Sequence, residues 1–332
     1  MISPSDLLRL PVPRDLIEGG IAYAVRSLPH TYNRMGGSPY DRLRRIVAGV
    51  AVELAFRRYL TQNDIPFDVK GATPFTDPDR YDVSLGGHRC DVKSFLITHR
   101  DQIARIHRDA GLLLDAPALV PSDQDAGEGH YDDDIYLFAF LTALTAASLR
   151  DLQTAIRAGQ PTHILHALPK PWANPQTWTP LGRLSLKSEC DASVTVELGG
   201  QTEHREFVSE RLVLPPRTRV EAATDFYSVA SLHVESPLNG RAALHSPARR
   251  ETVIVQPHEW GNIWVYGMDI YLTGWISRAE FRHHARAVPP GSRVFQYDET
   301  RVKNLAVDVR TLNPLGQLLE RVREWESKKV TA

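Results

Sequence analysis

The sequence predicts a mixed α/β fold that carries a β-rich accessory module. Three stretches point there. The apolar run IYLFAFLTALTAASL at residues 135–149 passes from aromatic and branched residues into alanine, as a buried strand does when it enters a helix. Residues 80–95, RYDVSLGGHRCDVKSF, are two short alternating segments around Gly86-Gly87, a two-residue hairpin signal. After Ser188 the texture changes, and SVTVELGG, REFVSERLVL and YSVASLHVES read as antiparallel strands separated by turns.

In chain order, residues 1–38 are expected to be irregular apart from a helix near 15–27. Residues 40–61 form the strongest helical pattern, with Leu43, Ile46, Val47, Val50, Leu54 and Ala55 at helical spacing and Asn63-Asp64 before Pro66 as a stop. Residues 67–71 read as a short strand, 99–114 as a helix, and the acidic, breaker-rich 115–134 as a mobile loop. A strand at 135–141, a helix at 149–159, and strands in THILHAL (162–168) and GRLSLK follow, so that 40–187 reads as elements alternating around one mixed sheet. Beyond 251, TVIVQP, IWVYG and DIYLTGW read as strands, SRAEFRHHARA as a helix, and 315–327 as an amphipathic helix. The expected domains are a core at 1–188 with an N-terminal helical segment, a β-rich module at 189–250, and a mixed α/β region at 251–332.

Composition narrows the function classes. The 332 residues are 42% hydrophobic and 24% charged, with a formal net charge of -1, so no global basic field marks a polyanionic partner. The cations are 32 Arg against 7 Lys, which suits bidentate phosphate contact and equally suits a GC-rich genome. Cys90 and Cys190 lie far apart, which argues against a disulfide framework or a zinc site and fits a reducing compartment. The N-terminus reads as lacking a signal peptide, and no run suits a bilayer, so the expectation is a cytoplasmic protein without a membrane partner.

The hairpin carries the chemistry. With the turn on Gly86-Gly87, cross-strand partners have residue numbers that sum to 173, which sets Asp82 opposite Asp91. Lys93, two residues on, shares the face of Asp91. Like charges about 5 Å apart across a sheet repel. Lys93 or a divalent cation would have to sit between them, and Mg²⁺ takes hard carboxylate oxygens. Glu53 falls beside the apolar face of the 40–61 helix, where a glutamate either reaches out to solvent or has a function.

A helix glutamate, a strand aspartate and an Asp-x-Lys triplet, here Glu53, Asp82 and Asp91-Val92-Lys93, resemble the PD-(D/E)XK, or restriction-endonuclease-like, nuclease superfamily. The text AGVAVELAFRRYL, a short strand and then YDV also resemble the start of such cores, over roughly residues 40–100, with 101–187 completing the core. The residue before Asp82 is Tyr81 where the family pattern has proline. Asp68-Val69-Lys70 and Glu326-Ser327-Lys328 also spell acid-x-Lys, but neither follows an acid-bearing strand.

The resemblance implies a metal-dependent endonuclease that hydrolyses DNA phosphodiesters, with a role in bacterial defence or restriction. It implies Mg²⁺ or Mn²⁺ held by Asp82, Asp91, Glu53 and the carbonyl of Val92, and Lys93 as the group that orients the nucleophile or stabilises the transition state. Phosphate contacts are expected from Arg44, Arg45, Arg57 and Arg100, with Arg42, Arg58, Arg105 and Arg108 nearby. The module at 189–250 would recognise the target. DNA is the expected partner, with RNA and a homodimer left open. The alternative is the same fold binding nucleic acid without cutting it. No P-loop or Gly-x-Ser-x-Gly elbow is present, and adjacent His283 and His284 diverge on a helix, which makes a shared metal difficult.

Overall fold

The structure, a computed structural model, describes residues 2–30, 38–69, 82–127 and 129–331. The chain opens with β1 (Leu8–Pro11), α1 (Arg14–Ser27), α2 (Pro39–Gln62), β2 (Val83–Leu85), β3 (His88–Ile97) and α3 (Arg100–Arg108). There follow β4 (Pro117–Pro121), α4 (Ser122–Asp125), β5 (Ile135–Thr145), α5 (Leu149–Arg157), β6 (Ile164–Ala167), α6 (Lys170–Ala173) and β7 (Ser185–Ser188). A run of strands comes next: β8 (Val194–Gln201), β9 (Phe207–Leu214), β10 (Arg219–Glu221), β11 (Ser228–Val234), β12 (Ala242–Ser246), β13 (Glu251–Val255), β14 (Gly261–Asn262) and β15 (Val265–Ser277). The chain closes with α7 (Arg278–His284), β16 (Arg286–Val288), β17 (Asn304–Asp308) and α8 (Leu315–Thr331). The fold is therefore mixed α/β with mixed sheets. Among the described residues, no helix is long and apolar enough to cross a membrane.

The chain forms two compact units, a division that does not follow the expected boundaries at 188 and 250. The first comprises Met1–Gly20, Ala48–Leu144 and Val265–Ala332, and the second Ile21–Val47 and Thr145–Trp264. The first unit holds a five-stranded sheet in the order β1-β15-β5-β3-β2 and a three-stranded sheet in the order β16-β17-β4. β5 is the central strand, and Ile135 through Leu141 are all buried, which is why its sequence is a continuous apolar run rather than an alternation. β3 lies parallel to it, with Asp91 beside Tyr136 and Lys93 beside Phe138. Phe95, Phe138, Phe140, Tyr136 and Phe281 pack as one aromatic group in the core of this unit.

The second unit holds the sheets β14-β6-β11-β8-β9 and β10-β7-β12-β13. Their pairings are antiparallel, as the texture after Ser188 predicts. THILHAL and GRLSLK were expected in the sheet of the nuclease core. They lie instead in this unit as β6 and β7, because their partners are β11 and β12.

Three expectations are corrected. Residues 1–38 contain a strand as well as a helix: β1 pairs Leu8 with Leu272 and Leu10 with Ile270. Residues 115–134 are not one loop, since Ala118, Leu119 and Val120 are buried in β4 against β17 and α4 follows at once. IWVYG and DIYLTGW are not separate strands: Val265–Gly267 of the first and all of the second fall in the single strand β15, which passes Gly267 at φ +57, a conformation open to glycine. Of the strand expected at 67–71, Asp68 bridges Ser84. The remainder from Lys70, and Tyr81, lie outside the described residues.

His163 gives the second unit a pH response. Its ring is half-buried and stacks on His233 at 3.9 Å with 10° between planes. Burial first, then the neighbouring His233, pushes its pKa from 6.5 down to about 3, with Glu197 acting the other way. Because the folded-state value is depressed, the unfolded chain binds the proton first as pH falls below 6.5, and stability drops from there toward 3. The slope is about 1.4 kcal/mol per pH unit for one such proton. Denaturant titrations between pH 4 and 7 should show this acid limb, and His163→Phe, which keeps the ring stack, should flatten it.

Candidate functional site

The site is built on the β2–β3 hairpin. Val83 pairs with Cys90, Ser84 with Arg89 and Leu85 with His88, so partner numbers sum to 173. Gly86 and Gly87 turn the chain at φ +60 and +95, which strains any residue with a Cβ. Trp325 of α8 closes over this turn: its ring lies 4.1 Å from that of His88, and a Cβ on Gly86 would come within 2.7 Å of it. The alternation along β3 sends Cys90 and Val92 inward and leaves Asp91 and Lys93 half-buried.

Asp82 sits just before β2, and its backbone N–H donates to the Cys90 carbonyl at 3.0 Å. Its carboxylate accepts from the Val92 N–H at 2.6 Å. Burial raises the pKa of this carboxyl group well above the ordinary carboxylate value. The charges of Glu53 and then Asp91 raise it further, against the Val92 amide and Lys93. Three acids from helix α2 and both arms of the hairpin therefore act on one another. Among the described residues, no cation lies within ion-pair distance of the Asp82 carboxylate.

Lys93 completes the group. Its Nζ is 2.6 Å from Asp91 Oδ2 and donates to Gln124 Oε1 at 2.8 Å, and it lies 5.9 Å from the centre of the Tyr136 ring. Gln124 is followed by Asp125, a buried acid that accepts from the Tyr136 hydroxyl and pairs with Arg278 and Arg282. On α2, Arg57 reaches Glu53 at 3.7 Å, one helical turn away, and donates to the Asp82 carbonyl at 2.8 Å. Gln124 and Tyr136 carried no sequence signal as site residues, because each meets Lys93 only through folding.

No family model, curated protein or solved structure matches the chain. The reading of the site rests on its own geometry.

The arginines expected to contact phosphate divide. Arg44 is a correction: it is 5% exposed, donates to the Asn262 carbonyl at 2.8 Å and pairs with Asp41 at 2.9 Å, so its guanidinium serves the interior of the second unit. Arg57 is committed to Glu53 and Asp82 as described. Arg45 is half-buried and Arg100 exposed, and Arg58 pairs with Asp15. Of the two rival triplets, Asp68 joins the outer edge of β2 through backbone bonds to Ser84, and Lys70 lies outside the described residues.

The donors fit a hard divalent cation in kind. Asp82 is a crowded carboxylate without a cationic partner among the described residues, and Glu53 and Asp91 supply further oxygens. Val92 touches Asp82 through its N–H, and the carbonyl expected as a ligand belongs to the same residue. Among the described residues, no three His, Cys, Asp or Glu side chains already stand spaced to hold one ion. A cation would therefore have to share Asp91 with Lys93.

The two hairpin acids should differ in stability. In metal-free protein, Asp82→Asn keeps an acceptor for the Val92 N–H and removes the repelled charge, so thermal melts should show an equal or higher Tm. Asp91→Asn removes the partner of a half-buried lysine and should cost about 1–3 kcal/mol. A lower Tm for Asp82→Asn would contradict the crowding of its carboxyl group.

Proposed function

We propose that the chain is a metal-dependent endonuclease acting on DNA phosphodiester bonds, with the sheet β1-β15-β5-β3-β2 and helix α2 as a restriction-endonuclease-like core. The observation that carries this reading is the crowding of Glu53 and Asp91 around the half-buried carboxyl group of Asp82, with Lys93 beside Asp91. Structural ion pairs are arranged to neutralise acids. Here Asp82 is left without a cation among the described residues, which is the condition a bound Mg²⁺ or Mn²⁺ relieves.

Asp82, Asp91 and Glu53 would hold the ion, with the Val92 carbonyl as a further donor. The ion, when bound, supplies positive charge at the scissile phosphate and acidifies attacking water. Lys93 would place its ammonium against the phosphate as charge develops in the transition state. Gln124 and Tyr136 hold that ammonium in position, and Arg57 fixes Glu53 and the start of β2. Exposed Arg100 would contact the DNA backbone, which positions a duplex without reading it, while Arg45 Nε donates to the Asp41 carbonyl at 3.2 Å.

One observation favours the second reading, a nucleic-acid-binding protein that does not cut. The Lys93–Asp91 contact of 2.6 Å already satisfies both groups.

Cleavage of plasmid, linear, single-stranded and modified DNA with Mg²⁺ or Mn²⁺ tests the proposal. The wild type should cut and lose activity in EDTA. Asp91→Ala and Lys93→Ala should lower the rate by at least about 100-fold, the scale of losing a charge-stabilising group, while Asp68→Ala should stay near wild type. Mg²⁺ should also raise the Tm of the wild type more than that of Asp91→Asn, since only a native-state ligand stabilises by mass action. DNA binding without cleavage on every substrate, and no metal response in the melt, would leave the second reading.

A further inference from the structure

Lys93 Nζ lies 2.6 Å from Asp91 Oδ2, so the ammonium occupies the carboxylate that the proposed cation site requires. The lysine side chain is only 14% exposed. An ammonium released in that setting without another acceptor would be costly. A second acceptor is already in place: Lys93 Nζ donates to Gln124 Oε1 at 2.8 Å. An ammonium has three N–H groups, and these two contacts use different ones. The third has no acceptor among the described residues.

The two acceptors treat the charge differently. Asp91 is a carboxylate and cancels it. Gln124 offers a neutral amide oxygen, which holds an ammonium in place and leaves its positive charge for a phosphate. The turn that carries Gln124 is fixed from behind. Arg278 and Arg282, one helical turn apart on α7, both donate to the Asp125 carbonyl and both pair with its carboxylate. Asp125 and Arg278 are buried. Buried ion pairs contribute little net stability, and their best-attested use is to specify one arrangement. At the start of the same turn, the Ser122 N–H donates to the Lys303 carbonyl at 3.0 Å. The α4 backbone is thus anchored by groups other than Lys93.

We propose, on the reading of the hairpin as a cation site, that Gln124 is a positioning residue: Lys93 gives up Asp91 to the cation and remains on Gln124, with its uncancelled charge toward the scissile phosphate. Asp91 and Lys93 are joined in the metal-free protein and take separate tasks in the loaded one. The Gln124 bond is present before and after this exchange. Its loss therefore misplaces Lys93 and leaves cation affinity nearly unaltered.

The test pairs calorimetric Mn²⁺ titration, without DNA, with steady-state cleavage. Gln124 is exposed, so its replacement leaves the core intact. Gln124→Ala should bind Mn²⁺ within about threefold of wild type and keep its KM, while kcat falls by at least about tenfold, the scale of one charged hydrogen bond. Gln124→Glu keeps an acceptor but cancels the charge, and should lower kcat as well. Lys93→Met removes the competitor for Asp91 and should bind Mn²⁺ about tenfold more tightly while losing cleavage. Wild-type kcat in either Gln124 variant, a parallel loss of Mn²⁺ affinity and kcat in Gln124→Ala, or no gain of affinity in Lys93→Met would each overturn the proposal. A wild type that binds no Mn²⁺ defeats the cation-site reading itself, whatever its variants do. A wild type that binds Mn²⁺ and cuts, with Gln124→Ala behaving identically, defeats the positioning role alone. For a wild type that binds Mn²⁺ without cutting, a Mn²⁺-loaded crystal decides: Lys93 Nζ should leave Asp91 and stay within hydrogen-bond distance of Gln124 Oε1, and an ammonium that leaves Gln124 overturns the proposal.

Discussion

The Val92 N–H holds the Asp82 carboxylate at 2.6 Å, inside a hairpin where burial and two other acids work against its charge. This bond fixes where Asp82 points, and so fixes the centre on which Glu53 and Asp91 act. It is available because Val92 lies on a strand whose other neighbour is β5, and β5 is buried through its apolar run. The hydrophobic centre of the sheet and the polar site at its edge are thus one construction. The apolar strand sets the register of β3, and β3 presents an amide to Asp82 and a lysine to Asp91.

Lys93 is held by several groups at once. Asp91 takes its charge, Gln124 accepts one of its hydrogens, and the ring of Tyr136 lies beneath. Such a lysine loses little side-chain entropy when it meets a phosphate, because its position is already set. The same restraint makes Asp91 a reluctant metal ligand until a cation or phosphate draws the pair apart. A charged group preorganised in this way can serve catalysis or can simply close a polar hairpin. What separates the two is whether Asp82 finds a positive partner.

The hairpin was legible because its information is local. Alternation of period two and a Gly-Gly turn set the partners, and the observed register follows the same sum of residue numbers. Helix α2 was legible for the same reason, from its spacing and its stop: Asp64 at φ +53 followed by Pro66. Where the partner is distant, the signal disappears. β4 is five residues that begin and end in proline within an acidic stretch, and it is a strand only because β17, far along the chain, pairs with it. β1 depends in the same way on β15. β6 and β7 have ordinary strand sequences, and nothing in them says which sheet they join. Arg44 looked like a surface cation on a helix, and only the fold shows its guanidinium turned to the Asn262 carbonyl. Gln124 stands in the same segment as β4 and was hidden with it.

The central claim is that Asp82, Asp91 and Glu53 form a cation site. A crystal grown with Mn²⁺ and measured for anomalous scattering tests it most directly. The account predicts an anomalous peak about 2.0–2.4 Å from carboxylate oxygens of both Asp82 and Asp91, with Lys93 Nζ moved away from Asp91 Oδ2. A map without a peak at that position, with the Lys93–Asp91 pair unchanged at 2.6 Å, would contradict it.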